Sequence, residues 1–196
     1  MAGQPARLAT NYIREIKFTR EGKLWVATYG DGIHLYNTTD QKLINFLPDH
    51  IDTASNTPPA ITSIAIDPED NTWFGSMNGL FMLPDSSREF IHFAHDPDAI
   101  NSLSSNTIQC LITDQTGQLW IGTRESGLNR LVKTDSTWSF MRIKHTDEPG
   151  SISNNYILSL CADQEGFLWV GTENGGLNRY SHQTNKFEVF EVEEGN

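Results

Sequence analysis

The sequence predicts an all-β protein built from four like sheets, and three observations carry that reading. First, a short segment recurs: Leu24-Trp25-Val26-Ala27-Thr28, Thr72-Trp73-Phe74-Gly75-Ser76, Leu119-Trp120-Ile121-Gly122-Thr123 and Leu168-Trp169-Val170-Gly171-Thr172, with the tryptophans 48, 47 and 49 residues apart. A fixed period of this size marks a repeat architecture. Second, each tryptophan is preceded at a fixed distance by a short run rich in β-branched residues: Ile13–Phe18, Ile61–Ile66, Ile108–Thr113 and Ile157–Ala162. Third, turn residues punctuate the runs at the same places, with Gly22, Asp70, Gly117 and Gly166 sharing one column.

Within each unit the elements follow in order. The first run is bounded by polar turns and reads as a strand. Both its faces are apolar in the second to fourth units, the pattern of a strand buried on both sides; Arg14, Glu15 and Lys17 break it in the first. A tight turn leads to the tryptophan strand, because glycine enters positive φ freely and Asp tolerates it. A second turn, at Tyr29–Gly32, Met77–Gly79, Arg124–Gly127 and Glu173–Gly176, leads to third strands at Ile33–Asn37, Leu80–Leu83, Leu128–Val132 and Leu177–Tyr180. Fourth strands are expected at Lys42–Leu47, Glu89–Phe93, Trp138–Ile143 and Lys186–Val192. Residues 1–10 form a lead-in, and the units run approximately 11–59, 60–105, 106–153 and 154–196. Strands this short cannot bury their faces alone. Stacking four-stranded antiparallel meanders radially buries them, which is the logic of a β-propeller. Four blades in an open arc would leave two apolar faces uncovered, one expected to carry Ile13, Ile16 and Trp25, the other Ile157, Leu160 and Trp169.

Composition narrows the function classes. The net charge of −11 repels phosphate backbones and argues against nucleic acid as a partner. No apolar run reaches the roughly 18 residues of a membrane helix, so no direct membrane contact is expected, and Met1 to Thr10 lacks the apolar core of a signal peptide. Cys110 and Cys161 do not make a disulfide framework and are expected as buried free thiols.

The pattern Asn-x-Ile, Asp-x-x-Gly-x-Leu-Trp-[IV]-Gly-Thr and Gly-Leu-Asn-Arg, carried by Asn106–Leu131 and Asn155–Tyr180, resembles the two-component regulator propeller repeat. The first unit departs from it at Thr19 and Ala27, the second at Asp70, Thr72 and its shortened turn. The resemblance implies the periplasmic sensor region of a bacterial two-component signalling protein, part of a longer membrane-anchored chain with a histidine kinase. It implies ligand binding rather than catalysis, with oligosaccharide or another small extracellular ligand, further blades or a second copy of the chain as partners. The alternatives are a propeller-scaffold enzyme, a lyase or glycoside hydrolase, and a purely structural interaction module.

Candidate residues divide by whether they repeat. Asp67, Asp114 and Asp163 recur once per unit at hairpin starts, where Asp bonds its own turn; with Trp25, Trp73, Trp120 and Trp169 they are expected to be structural. Thr28, Ser76, Thr123 and Thr172 are expected to hydrogen-bond a neighbouring strand or blade, and Arg130 and Arg179 to be solvated or ion-paired. His92 and His95 lie three apart, on opposite sides of a strand, and His34, His50 and His182 have no partner at metal spacing, so neither a metal nor a cofactor is expected. Specificity is expected where units differ on one rim: the turn after the second strand, with Tyr29, Asp31, Asn78, Arg124, Glu125, Glu173 and Asn174 as candidate ligand-binding residues.

Overall fold

In a computed structural model, residues 7–46, 60–85, 87–134 and 137–191 are described. Most of the first inter-unit connection, His50 and the expected strand ends at Leu47 and Val192 lie outside them. The described residues form sixteen strands and no helix. The first sheet holds β1 (Ile13–Phe18), β2 (Leu24–Thr28), β3 (Ile33–Asn37) and β4 (Lys42–Phe46). The second holds β5 (Ile61–Ile66), β6 (Thr72–Ser76), β7 (Gly79–Leu83) and β8 (Ile91–Phe93). The third holds β9 (Ile108–Thr113), β10 (Leu119–Thr123), β11 (Leu128–Lys133) and β12 (Trp138–Ile143), and the fourth β13 (Ile157–Ala162), β14 (Phe167–Thr172), β15 (Leu177–Ser181) and β16 (Lys186–Phe190). Each sheet is an antiparallel meander in chain order. The first strands stand side by side, β1 by β5, β5 by β9 and β9 by β13, as the inner strands of propeller blades. The fourth strand of the second blade is shorter than expected: Glu89 and Phe90 lie before it, and Phe90 turns instead to pack on Phe74 and Phe81.

A β-bulge explains the Ile-x-x-Ile spacing of the inner strands. Residues three apart on a regular strand face opposite sides. In every blade, however, the register skips one residue after the first isoleucine: Ile13 to Glu15, Ile61 to Ser63, Ile108 to Cys110 and Ile157 to Ser159. The extra residue returns the next apolar side chain to the face of the first. Ile61 and Ile64 therefore pack together toward the first blade, in a cluster with Trp25, Ala27 and Ile33. Ile108 and Leu111 pack toward the second, with Trp73, Leu80 and Met82. Ile157 packs toward the third, with Trp120 and Leu128.

Each interface is thus made by the tryptophan face of one blade and the isoleucine face of the next. The glycine after the tryptophan permits the approach. A Cβ on Gly75 would come within 2.6 Å of Ile108 Cγ2, and one on Gly122 within 2.6 Å of Ile157 Cγ2. At Gly171 it would meet only the Ser159 hydroxyl of its own blade.

This arrangement corrects two expectations. Trp25, Ile157 and Leu160 do not lie on uncovered faces: Trp25 and Ile157 are buried inside the arc, and Leu160 packs against the cluster between the third and fourth blades. The uncovered faces carry Ile13, Ile16 and Phe18 at one end and Trp169, Leu177 and Phe190 at the other. Ile16 is 57% and Phe18 63% exposed. The inner strand β13 is not buried on both sides, since Leu158, Ser159 and Cys161 are exposed.

Trp120 is fully buried, so Trp120→Ala should cost about 3–5 kcal/mol, read as a fall in melting temperature. Gly122→Val should destabilise far more than Gly171→Val at low protein concentration, because only the first drives a side chain into the neighbouring blade. Equal losses would show that the close approach at Gly122 is not what the glycine is for.

Candidate functional site

The acid column is consumed by structure. Asp67, Asp114 and Asp163 accept hydrogen bonds from the indole Nε1–H of Trp73, Trp120 and Trp169 at 2.9, 2.7 and 2.6 Å. Their other oxygens accept the main-chain N–H four residues on, from Asn71, Gln118 and Phe167. Each carboxylate thus closes the first hairpin and caps the buried indole at once. Burial of Asp114 pushes its pKa up, but bonds from the Thr116 hydroxyl, the Trp120 indole and the Gln118 and Thr116 N–H groups outweigh it and hold the group below its ordinary value. Asp163 is lowered chiefly by the Trp169 and Phe167 donors. The first blade has Thr19 in this column. Its hydroxyl accepts the Lys23 N–H at 3.1 Å, as the carboxylates do. It has no second oxygen, and among the described residues the Trp25 indole N–H finds no acceptor.

The other repeated polar groups are similarly occupied. The hydroxyls of Thr28, Ser76, Thr123 and Thr172 donate to the carbonyls of Gly32, Gly79, Gly127 and Gly176, at the start of the neighbouring third strand, and so close the second turn of their own blade; the Thr172 hydroxyl also lies 3.1 Å from that of Ser153. His95 Nδ1–H donates to the Leu103 carbonyl and His145 Nδ1–H to that of Ile152, while His92 Nε2 bonds the Asn78 carbonyl at 2.7 Å. Among the described residues no group of three or more His, Cys, Asp or Glu side chains is placed to hold a metal. Arg179 pairs with Glu188 at 2.5 Å and lies over the rings of Phe167 and Trp169. Both cysteines are free, but they differ. Cys110 is mostly buried, and burial, with the Glu15 charge adding, pushes its thiol up to about 12. Cys161 is exposed, contrary to expectation, because no blade covers that side of β13.

The rim residues fall into separate groups. The turns after β2, β6, β10 and β14 are each pinned to the residue before the inner strand: Tyr29 N–H to the Tyr12 carbonyl, Met77 to Ala60, Arg124 to Thr107 and Glu173 to Tyr156. At the first blade the Tyr29 ring, half exposed, lies 5.6 Å from that of Tyr12. Asp31 is turned inward: it accepts the Ala9 N–H at 2.7 Å and lies 3.0 Å from His34 Nε2. Asn78 is exposed and its carbonyl is taken by His92. At the junction of the third and fourth blades, the Arg124 guanidinium sits 5.5 Å over the Tyr156 ring and 3.9 Å from Glu125. Glu173 is tied to the same Tyr156, and Asn174 beside it is exposed. Glu125 and Asn174 both hold positive φ, 68° and 57°, which fixes the turn tips.

The sequence reading missed Tyr156. Its signal was available in the column Tyr12, Ala60, Thr107, Tyr156, where only the end blades carry an aromatic ring. It also missed the clamp made by the Asn of Gly-Leu-Asn-Arg. Asn129 accepts the Ser104 N–H and donates to its hydroxyl, and Asn178 does the same to Ser153. These bonds hold the long connections down while Leu103 and Ile152, both fully buried, plug the blade interfaces. The rim therefore rests on a fixed platform. A cleft of about 340 Å³ lies elsewhere, between the first two blades, lined by Arg20, Trp25, Ile44, Phe46, Asp70 and Leu83, and takes in none of the candidate ligand-binding residues.

Residues 102–125 and 151–174 match the sequence profile of the two-component regulator propeller. Each matched segment runs from the connection before the inner strand to the turn after the tryptophan strand, in the third and in the fourth blade. Comparison with curated proteins by sequence finds no match. Among solved structures, the chain is similar to the extracellular domain of a hybrid two-component system from B. thetaiotaomicron, at 20% identity over 96% of this chain and 25% of that one, with a TM-score of 0.76. It is similar to virginiamycin B lyase from Staphylococcus aureus, at 15% identity over 94% and 57% of the two chains, with a TM-score of 0.68. An auxiliary nutrient binding protein from Bacteroides ovatus aligns at 9% identity over 93% and 48%, with a TM-score of 0.62. At these identities the likeness is one of fold. The chain spans a quarter of the length of that extracellular domain, 25%.

A lowered carboxylate pKa stabilises the fold above the unfolded-state value of about 3.9, and that contribution is lost as pH falls through the folded-state value. Asp114→Asn should therefore flatten the fall in melting temperature below about pH 4 while lowering stability at pH 7. Unchanged acid dependence would remove Asp114 from the account. In the first blade, Thr19→Asp supplies the missing acceptor for Trp25 and should stabilise by about 1 kcal/mol. A lower melting temperature for that variant would show the indole already satisfied.

Proposed function

We propose that this chain is a non-catalytic part of the extracytoplasmic sensor of a bacterial two-component signalling protein, and that it recognises an oligosaccharide or a similar polar ligand at the rim of its third and fourth blades. The observation that carries the reading is the contrast between repeated and unrepeated side chains in the two regulator-propeller repeats. The repeated carboxylates, hydroxyls and amides are spent on internal bonds. The unrepeated Arg124 and Glu173 sit on exposed turns held by a rigid platform, with the Arg124 guanidinium over the part-buried Tyr156 ring and the Glu173 main chain bonded to Tyr156. An aromatic face beside a guanidinium and a carboxylate suits a sugar, whose C–H face stacks and whose hydroxyls bond charged groups. Function of this kind lives in loops on a fixed scaffold.

The lyase-like fold supports an enzyme reading only by architecture. General acid–base work needs a free, positioned proton carrier, and Asp67, Asp114 and Asp163 each hold an indole and a hairpin instead. Calorimetric titration against a panel of neutral and acidic oligosaccharides tests the proposal. Binding of at least one member, weakened tenfold or more by Arg124→Ala and by Tyr156→Ala with melting temperature unchanged, is the expected result. Cleavage of any member, or binding indifferent to both substitutions, would overturn it.

A further inference from the structure

Two departures from the repeat coincide at the seam between the first and second blades. The first is the missing acid. Trp73, Trp120 and Trp169 each donate the indole N–H to the carboxylate six residues earlier. Trp25 is 4% exposed, and its Nε1–H has no acceptor among the described residues, because Thr19 stands in that column. The second departure is on the facing blade. Trp138 lies opposite Lys133 in the register of the third blade and meets Trp73 edge-on at 5.4 Å, so it fills the outer seam between the second and third blades. In the second blade the register pairs Leu80 with Phe93 and Met82 with Ile91, and by the same count the place of Trp138 falls to Arg88.

The seam therefore stays open as the cleft of about 340 Å³, with Thr19, Trp25 and Arg88 in its wall beside the apolar Ile44, Phe46 and Leu83. We propose that this cleft binds a small organic carboxylate with an apolar body, whose carboxylate takes the place of the aspartate missing from the first blade. The site stands apart from the rim and does not depend on a ligand there.

The chemistry of the wall selects that ligand. An unpaired buried donor is costly, and a charged acceptor makes the stronger kind of hydrogen bond. The same N–H is met by a carboxylate in the three other blades, which is the precedent within the chain for the group that fits it. The Trp25 nitrogen is shut from water, so a carboxylate reaches it only if a wall side chain turns. Thr19, part-buried and in the acceptor's own column, is the one placed to do so. Of the charged groups in the wall, Arg20 pairs with Asp70 and Lys23 with Glu21. Arg88 enters no ion pair among the described residues and is left to face the ligand's charge. Asp85, also in the wall, repels a second negative charge and so favours a monocarboxylate. The apolar wall takes the rest of the molecule out of water. The volume lies at the lower end of the roughly 300–1,000 Å³ of ligand pockets, which suits a small molecule rather than a polymer.

Hexanoate and phenylacetate, added to the chain at neutral pH and millimolar concentration, test the site through the indole N–H resonances. The expected result is a saturable downfield shift of the Trp25 resonance, with those of Trp73, Trp120 and Trp169 unmoved. Hexanamide, phenylacetamide and sodium chloride should not reproduce it. Affinity measured by calorimetry should fall at least tenfold with Arg88→Ala and rise with Asp85→Asn. It should be lost with Thr19→Asp, whose own carboxylate occupies the place, while Arg124→Ala at the rim leaves it unchanged. Circular dichroism spectra should be the same for all four variants. A Trp25 resonance unmoved by both carboxylates, amides that bind as well as the acids, weaker binding to Asp85→Asn, or full binding to Thr19→Asp or Arg88→Ala would each overturn the proposal.

Discussion

The contact on which the rest depends is the isoleucine of one inner strand resting on the backbone of the previous blade at a glycine. It sets the distance between sheets. A Cβ at Gly122 would meet Cys110 Sγ and Ile157 Cγ2 together, so the glycine is what lets two sheets come close enough for the tryptophan beside it to be fully covered. Once covered, the indole N–H needs an acceptor, because an unpaired buried donor costs about 1–3 kcal/mol. The aspartate six residues earlier supplies it and closes the hairpin with its second oxygen. Sequence motif, hairpin and blade spacing are one constraint seen at three scales.

Much of this was legible because it repeats. The strand order, the inner-strand boundaries and the tryptophan column follow from a period near 48 residues and from turn chemistry. The bulge was not legible as such. The spacing of Ile13 to Ile16 and of Ile61 to Ile64 contradicts simple alternation, and only the paired register shows an extra residue that cancels the contradiction. For the same reason the faces of the end blades were assigned wrongly. Trp25 pairs opposite Lys17, not opposite an isoleucine, so it faces inward to the second blade while Ile13 and Ile16 face out. At the rim, variation between units pointed to the turns after the second strands but could not say which side chains meet. Asp31 is drawn inward by His34 and the Ala9 N–H. Tyr156 is a partner from another unit, 32 residues from Arg124 in the chain, and no local pattern links them.

The division between repeated and unrepeated positions has a physical basis. A side chain present in each blade at one place experiences nearly the same surroundings each time, so its role is one that each interface requires. That is true of the carboxylate–indole bond, the turn hydroxyl and the Asn129 and Asn178 clamps. Recognition of a single ligand breaks the repeat, because one ligand meets different blades differently. Arg124 and Glu173 occupy one turn position in adjacent blades and carry opposite charge; the Arg124 guanidinium lies over the Tyr156 ring, and the Glu173 N–H donates to the Tyr156 carbonyl. That asymmetry is what a repeat scaffold needs in order to orient a ligand.

The first blade shows what happens when the shared constraint is relaxed. Thr19 and Ala27 replace the aspartate and the glycine, and Arg14, Glu15 and Lys17 make the inner strand polar. Polar grips stand in for fit: Glu15 holds the Ile64 N–H, and Arg20 bonds the Pro68 carbonyl and pairs with Asp70 at 3.0 Å. Exposed pairs of this kind contribute little, typically 0–1 kcal/mol. In a stacked-repeat molecule stability is close to a sum of unit and nearest-neighbour terms. The second and third blades have two interfaces each, while the first and fourth have one within a single chain. Local opening, which follows the free energy of the least supported unit, should therefore be easier between the first and second blades than between the others, because that interface rests partly on exposed charge.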